Sequence, residues 1–230
     1  MKANKKETRD INIGIIDYGM GNLRNVQNAL KYIGVNSFIS NNKNELDQAC
    51  GLILPGVGAF YDAMLNLKKL KMDEFIKKKA EEKKPLLGIC LGMQVLFSDG
   101  YEVQHCPGLN IINGKVIKFP PGLKVPHMGW NQLDIVDFGN VSSNISSSDI
   151  ELGSKLLKNI PQKTYVYFVH SYYVKDTDSS VIKASANYGE YFPALVETEN
   201  NVFGAQFHPE KSGEYGLKIL DNFIEVVNEK

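Results

Sequence analysis

The first half of the chain alternates between runs of apolar residues and segments whose apolar residues recur at helical spacing. Residues 11–17 form an apolar, β-rich run that predicts a strand. From Leu23 to Ile33 the apolar positions share one helical face, and Gly34 supplies a stop signal. The pattern continues with a predicted strand at 35–40, a short helix at 45–50, a strand at 51–56, a long helix at 61–84, a strand at 85–90 and a helix that opens within 91–98. This order favours a parallel sheet wrapped by helices.

The second half of the chain is dominated by strand-like segments. They lie at 114–119, 131–137, 164–174, 180–187, 192–198 and 202–207, and they predict an antiparallel extension of the sheet. The chain closes with a predicted helix at 213–230, whose apolar residues form one stripe. Residues 137–149 are rich in Ser and Asn, which predicts a mobile surface loop. The predicted fold class is therefore α/β, with a mostly parallel central sheet, flanking helices and an antiparallel extension.

Composition narrows the possible functions. A chain of 230 residues with 43% hydrophobic and 23% charged residues is typical of one globular domain, which we expect to span 1–230. Because 26 basic residues balance 26 acidic ones, no net charge favours nucleic acid or an anionic membrane as a partner. The longest apolar runs fall far short of the roughly 18 residues that a membrane helix requires.

Cysteine usage and the N-terminus indicate the compartment. The chain has three cysteines and no C-x-x-C pair, and its first residues lead into a strand instead of the apolar region of a signal peptide. We therefore expect a cytoplasmic protein.

Cys90 is the main candidate for chemistry. It lies in the G-x-C-x-G sequence between Gly88 and Gly92, at the predicted junction of a strand and a helix. This is the thiol version of the sharp turn that lifts a nucleophile out of a sheet. Glycines two residues before and after allow neighbouring backbone to approach closely, and a helix that begins at Leu91 would direct its N–H groups toward a thiolate. A free thiol is only a few per cent ionised at pH 7, so the site needs a base.

His208 and Glu210 are the candidates for that base and its orienting acid. They lie two residues apart after a predicted strand, and in extended backbone such residues project to the same side. Pro209 between them is expected to keep the chain extended and stiff. A carboxylate at Glu210 could hold the imidazole in one tautomer and stabilise its protonated form. Cys90, His208 and Glu210 thus form a candidate triad.

An acyl-transfer site also needs hydrogen-bond donors for the developing oxyanion. The backbone N–H of Leu91, directly after the nucleophile, is one candidate. The other is the N–H of Val57 or Gly58, in a glycine-containing loop that follows its own strand.

A structural role is the alternative for each of these residues. Cysteine is among the most buried residue types, and for Cys90 only the flanking glycines and the distant His-Pro-Glu sequence argue otherwise. Cys50 and Cys106 lack such surroundings and are expected to be structural. A zinc site is disfavoured because no second close pair of ligands exists, and we expect no cofactor.

These motifs together resemble the class I (triad) glutamine amidotransferases. The match rests on "GICLGMQ" and "QFHPEKS", and it extends over nearly the whole chain. Within that class, "IGIIDYGMGNLRNV", "LPGVGAF", "PHMGWN" and "YFVHSYY" are most similar to the glutaminase subunits of imidazole glycerol phosphate synthases. The resemblance implies the flavodoxin-like fold of the class and the hydrolysis of glutamine through a γ-glutamyl thioester on Cys90.

The resemblance also implies partners and further site residues. Ammonia would pass to a separate (β/α)₈-barrel cyclase subunit in a heterodimer, which makes imidazole glycerol phosphate and aminoimidazole carboxamide ribotide in histidine biosynthesis. The substrate-binding positions that carry over are Gly58, Gln94, Glu102, His170, Ser171 and Tyr172. The partner-facing positions are Asn22, Met128, Trp130, Tyr167 and Lys211. Trp130, the sole tryptophan, could instead be a core residue.

Two other functions stay open at this point. Within the same class, the chain could serve another synthase, such as one that makes anthranilate or guanylate. A stand-alone Cys-dependent α/β-hydrolase is less favoured, because its acid normally precedes the histidine, whereas Glu210 follows His208.

Overall fold

The structure, a computed structural model, describes residues 9–136 and 153–229. The predicted loop at 137–149 lies outside the described residues, as does the N-terminal segment 1–8 that precedes the first strand. The helices are α1 (Leu23–Tyr32), α2 (Lys43–Asp47), α3 (Phe60–Lys69), α4 (Met72–Glu81), α5 (Leu91–Gln94) and α6 (Gly213–Asn228).

The strands cover most of the remaining described chain. They are β1 (Arg9–Ile16), β2 (Val35–Ser40), β3 (Gly51–Gly56), β4 (Leu86–Cys90), β5 (Phe97–Gly100), β6 (Cys106–Pro107), β7 (Ile112–Lys118), β8 (His127–Gln132), β9 (Asp134–Ile135), β10 (Tyr165–His170), β11 (Tyr172–Lys175), β12 (Ile182–Asn187), β13 (Tyr191–Glu197) and β14 (Val202–Ala205).

The central sheet has the order β2-β1-β3-β4-β14-β13-β12-β9. Its first five strands are parallel, and the remaining pairings are antiparallel. This confirms the predicted parallel sheet with an antiparallel extension. The parallel part has the flavodoxin-like strand order, in which ligands bind beyond the carboxyl ends of the central strands. In this chain β3, β4 and β14 end side by side at that edge.

Helices cover both faces of the sheet because alternate strand residues point to opposite sides. On β3, Ile53 packs into the cluster that includes apolar residues of α1 and α6. Its neighbours Leu52 and Leu54 pack into the opposite cluster, with residues of α3 and α4. None of the helices in the described part of the chain is long and apolar enough to cross a membrane.

Two smaller sheets complete the fold. Strands β8 and β10 pair alone as an antiparallel ribbon, and β11, β7, β5 and β6 form a four-stranded sheet. The predicted continuous strand at 164–174 is therefore wrong, because the chain leaves one sheet and enters another at Ser171. The predicted strand at 131–137 is likewise divided between β8 and β9.

The helix predictions need three corrections. The predicted single helix at 61–84 is two helices, and Lys71 adopts a left-handed conformation (φ 52°) between them, which lets Met72 enter the core fully. The helix predicted within 91–98 is the single turn α5, because Phe97 pairs with Ile112 in the four-stranded sheet. The predicted short helix at 45–50 begins earlier, at Lys43, and ends at Asp47.

Candidate active site

Cys90 sits at the sharp turn from β4 into α5. Its backbone has φ 54° and ψ −111°, a conformation that costs an L-residue free energy and is found mainly at functional turns. The glycines around it are needed for packing: a Cβ at Gly92 would overlap the Leu54 carbonyl, and a Cβ at Gly88 would lie 2.6 Å from the Gly92 carbonyl oxygen. The strained turn therefore packs directly on the β3 backbone.

His208 and Glu210 meet beside this turn, as expected. His208 Nδ1 lies 2.8 Å from Glu210 Oε1, and only 2% and 1% of their side chains are exposed. One local prediction is wrong: Pro209–Lys211 form a 3₁₀ turn instead of extended backbone. Two hydrogen bonds close the turn: the Lys211 N–H donates to the His208 carbonyl, and the Ser212 N–H donates to the Pro209 carbonyl. The carboxylate still reaches the imidazole, now from within the turn.

The charges of the triad are coupled. Burial lowers the pKa of His208, but the interactions of the imidazole with Cys90 and Glu210 outweigh it and raise the pKa to about 9. Burial and then the charge on Cys90 also raise the pKa of the neighbouring Tyr18 hydroxyl. Within the described residues, His208 Nε2 has no hydrogen bond of normal geometry. The imidazole therefore interacts with the Cys90 sulfur through its charge, without a well-aligned hydrogen bond.

The oxyanion candidates lie on adjacent segments. Gly56 pairs with Cys90 in register, so the loop that carries Val57 and Gly58 leaves β3 beside the nucleophile turn. A Cβ at Gly56 would lie 2.8 Å from the Gly92 nitrogen, which shows how closely this loop approaches α5. Leu91 follows Cys90 at the start of α5. Both predicted donor segments are therefore next to Cys90.

A cavity of about 180 Å³ opens at Val169, whose carbonyl oxygen contacts Cys90 Sγ. It is lined by Gly58, Gln94, Glu102, Pro126, Val169, His170, Ser171 and Tyr172. All six residues that the resemblance assigned to substrate binding are in this lining, together with two that it did not assign. Larger cavities, of about 390 and 760 Å³, lie at the start of α1 and beside α6, and none of the six predicted substrate-binding residues lines them.

Glu102 is held in the cavity by the backbone of α3. Its Oε2 accepts a hydrogen bond of 2.7 Å from the Phe60 N–H. Burial raises the pKa of Glu102, and this bond opposes the rise. Among the described residues no cationic side chain forms an ion pair with Glu102, and a partly buried carboxylate of this kind is suited to pair with an ammonium group of a ligand.

Three of the five predicted partner-facing residues, Met128, Trp130 and Tyr167, lie on the β8–β10 ribbon. Met128 and Trp130 are 62% and 55% exposed, so Trp130 is not a core residue. Trp130 packs edge-on against Tyr167, and Lys211 Nζ lies 5.8 Å from the centre of the Tyr167 ring. Asn22 lies at the start of α1, where its side chain makes no capping hydrogen bond.

Gln206 is a site residue that the sequence reasoning missed. Its side chain is fully buried, Nε2 lies 3.9 Å from Cys90 Sγ, and Oε1 accepts a 3.0 Å hydrogen bond from Gln94 Nε2. The sulfur also contacts the Val169 carbonyl oxygen at 3.8 Å. The available signal for Gln206 was its place two residues before His208, at the end of β14, the strand that pairs with β4.

The other cysteines are not part of this site. Cys106 is buried, in line with a structural role, whereas Cys50 is exposed, so the expectation that Cys50 is structural finds no support in burial. Over residues 9–136 and 153–229, no group of three or more His, Cys, Asp or Glu side chains could hold a metal ion.

Comparisons with known proteins give a family match and structural neighbours of the same fold. The model of the class-I glutamine amidotransferase family matches residues 14–227. Among solved structures, a putative GMP synthase protein from Thermoplasma acidophilum superposes with a TM-score of 0.70 at 20% identity, over 97% of this chain and 96% of that one. PurLQS from Thermotoga maritima gives a TM-score of 0.67 at 20% identity, over 95% and 100% of the two chains. At this identity the likeness concerns the fold alone.

Curated relatives are closer in sequence. The imidazole glycerol phosphate synthase subunit HisH of Caldanaerobacter subterraneus subsp. tengcongensis is 48% identical over 94% of this chain and 98% of the relative. The protein of the same name from Methanosarcina acetivorans is 50% identical over 93% and 98%. Two relatives from Desulfitobacterium hafniense carry the same name, at 47% and 46% identity.

Proposed function

Because the chain belongs to the class-I glutamine amidotransferase family, we propose that it hydrolyses glutamine to glutamate and ammonia for an imidazole glycerol phosphate synthase in histidine biosynthesis. One observation carries the proposal: a strained Cys90 at the β4–α5 turn adjoins a buried His208–Glu210 pair and a cavity lined by Gln94 and Glu102. A nucleophile, a base, an orienting acid and a substrate cavity are what acyl transfer from an amide requires.

The mechanism follows from these positions. The Cys90 sulfur attacks the side-chain amide carbon of glutamine, and the oxyanion forms near the N–H groups of Leu91 and Val57. His208, protonated on Nε2 and supported by Glu210, delivers the proton that lets ammonia leave. A thioester remains on Cys90. Water, deprotonated by His208, then attacks this thioester and releases glutamate.

Substrate binding is proposed for the cavity residues. The Glu102 carboxylate pairs with the α-ammonium group of glutamine, and Gln94 with the Gly58 and His170–Tyr172 segments contacts the remaining polar atoms. The length of a glutamine side chain separates the ammonium group from the amide, so Glu102 and Cys90 should bind opposite ends of the ligand.

The relatives' names describe a subunit of a synthase, so this chain works with a partner subunit. We propose that the partner is a (β/α)₈-barrel cyclase in a heterodimer and that it docks on the surface formed by Asn22, Met128, Trp130, Tyr167 and Lys211. The ammonia then reaches the cyclase without release to solvent. The exposed aromatic residues support this proposal, since such residues are enriched at interfaces.

We further propose that residues 1–230 act as one glutaminase domain in the cytoplasm. The family match over residues 14–227 supports a single domain. The free thiols of Cys50, Cys90 and Cys106 support a reducing compartment.

The direct experiment is to measure ammonia release from glutamine with and without the cyclase subunit from the same organism. We expect hydrolysis that increases when the cyclase and its substrate are present. Absence of glutamine hydrolysis in the assembled complex would contradict the proposal, whereas equal stimulation by an anthranilate or guanylate synthase would favour a different acceptor.

Trp130 provides a test of the docking surface. Replacement of Trp130 by alanine is expected to weaken cyclase binding by about 30-fold or more, because aromatic anchors at interfaces are often energetic hot spots. Calorimetric titration with the cyclase measures the effect. Leu65→Ala is the matched control, since Leu65 is 49% exposed on α3 and outside the docking surface. Equal affinities for both variants would place the interface elsewhere.

Glu210 provides a test of charge coupling in the triad. The His208 imidazolium must donate a proton, so kcat/KM should fall as pH rises through the His208 pKa of about 9. The Glu210 carboxylate raises that pKa, and Glu210→Gln removes the charge. The alkaline limb should therefore move to lower pH by about one unit, the size typical of one nearby charge. A pH–rate profile measures this shift, and an unmoved limb in the variant contradicts the role of Glu210.

A further inference from the structure

A buried pair of histidines, His127 and His170, lies next to the substrate cavity. His127 on β8 faces His170 on β10 across the ribbon, and His127 Nδ1 lies 3.1 Å from His170 Nε2. Only 4% and 6% of these residues are exposed. The resemblance assigned no role to His127, and His127 does not line the cavity.

The neighbours of the pair determine which ring nitrogens carry protons. His170 Nδ1 lies 2.8 Å from the Tyr172 carbonyl oxygen, which can only accept, so Nδ1 of His170 is protonated. In the neutral ring Nε2 is then an acceptor, and the proton shared with His127 must belong to His127 Nδ1. Both rings are neutral, because burial lowers the pKa of His127 to about 4 and that of His170 to about 3.

Asn131 completes the chain of hydrogen bonds. With Nδ1 protonated, Nε2 of His127 must accept, and Asn131 Nδ2 lies 3.3 Å from it. The Asn131 amide is oriented independently, since Nδ2 also donates to the Asn187 carbonyl at 2.8 Å and Oδ1 accepts from the Gln132 N–H at 2.8 Å. The direction of every bond from Asn131 to Tyr172 is therefore determined.

The chain ends at the substrate cavity. The Tyr172 carbonyl oxygen, which accepts a hydrogen bond from His170, also accepts one of 2.8 Å from Gln94 Nε2. The second N–H of Gln94 Nε2 donates a hydrogen bond to Gln206 Oε1. With both amide protons used, Gln94 Oε1 is left as its acceptor for a ligand. The position of the Tyr172 carbonyl thus determines which polar atom Gln94 presents.

We propose that His127 and Asn131 are positioning residues for glutamine binding, which hold His170 in its Nδ1–H tautomer and thereby fix the Tyr172 carbonyl against Gln94. This proposal rests on the proposed glutaminase function. Neither residue touches the substrate, and each acts through His170.

Two variants of His127 separate hydrogen bonding from packing. The His127 ring stacks on Tyr188 and Phe168, with ring centres 4.1 and 4.9 Å apart. His127→Phe keeps an aromatic ring but removes the donor to His170, whereas His127→Asn keeps an N–H near the position of Nδ1 and loses the ring. In the complex with the cyclase, we expect His127→Phe to raise the KM for glutamine about tenfold with kcat changed less than about threefold. His127→Asn should keep KM within about threefold despite a lower melting temperature.

A packing role predicts the opposite order, so a parent-like KM for His127→Phe, or an equally raised KM for both variants, overturns the proposal. Asn222→Leu is the control for stability alone: Asn222 is a buried amide that bonds the Leu156 and Lys158 carbonyls and lies outside the cavity lining. This variant should lower the melting temperature and leave KM unchanged.

A spectroscopic measurement tests the tautomers without catalysis. The chain has four histidines, so ¹⁵N-labelled histidine gives a spectrum that single variants can assign. At pH 7 the parent should show His127 and His170 as neutral rings protonated on Nδ1, and an Nε2–H tautomer for His170 overturns the proposal even if a variant fails to fold. If the parent complex releases no ammonia from glutamine, the proposed function fails, and the nitrogen spectrum still decides whether the hydrogen-bond chain exists.

Discussion

Replacement of Cys90 by alanine is expected to lower the rate of glutamine hydrolysis by at least about 10⁴-fold in the assembled synthase. The Cys90 sulfur is the only protein atom proposed to form a covalent bond with a carbon atom of the substrate. Removal of this nucleophile leaves only the contribution of binding and oxyanion stabilisation to the rate. Glutamate or ammonia release over time measures the effect. The fold should persist, because alanine is smaller than cysteine at a position with 6% exposure.

The same variant offers an internal control. If the cyclase consumes ammonia, a Cys90→Ala complex supplied with an ammonium salt should still form the cyclase products, while it no longer forms them from glutamine. Retained hydrolysis of glutamine in this variant would remove Cys90 from the mechanism. Loss of the ammonium-dependent reaction as well would indicate damage to the complex instead of to the triad.

Replacement of Gly92 by alanine is expected to destabilise the fold by about 3 kcal/mol or more, at the upper end for an overpacked site. The added Cβ would overlap the Leu54 carbonyl, which belongs to the backbone of a buried central strand and cannot rotate away. For a chain of this size the melting temperature should fall by about 6–12 °C. Thermal or denaturant unfolding measures the change.

Gly153 provides the matched control for this prediction, since a Cβ there would meet no atom of the described residues within 4 Å. Gly153→Ala should unfold like the parent. If Gly92→Ala were equally stable, the turn that carries Cys90 would not be packed against β3 as described, and the physical reason for the G-x-C-x-G sequence would be wrong.

Local patterns were enough to predict the parallel strands of the central sheet. Each buried parallel strand is a continuous apolar run between turn signals, and β2 and β3 have the predicted bounds. Patterns failed where tertiary contacts decide the structure. The break at Lys71 has no glycine or proline to mark it, and the division at Ser171 arises because successive strand residues pair with β8 and then with β7.

The candidate site was likewise predicted only in part from local patterns. Cys90, His208 and Glu210 were identified because nucleophilic chemistry demands particular residue types at particular spacings, and the fold brings them together. His127 could not be recognised, and Gln206 had only its position near His208 as a signal, because an amide and an imidazole acquire their roles only from what lies within hydrogen-bonding distance. Those neighbours, Cys90 and His170, are far away in sequence.

The central claim is a covalent thioester on Cys90, and the most direct measurement is mass spectrometry of the protein after reaction with a glutamine analogue that carries an electrophilic carbon in place of the side-chain amide. The chain has three cysteines, so the site of attachment discriminates among them. We predict one adduct per chain, on the peptide that contains Cys90, and protection by excess glutamine. An adduct on Cys50 or Cys106 instead, or no adduct in a complex that still hydrolyses glutamine, would contradict the proposed mechanism.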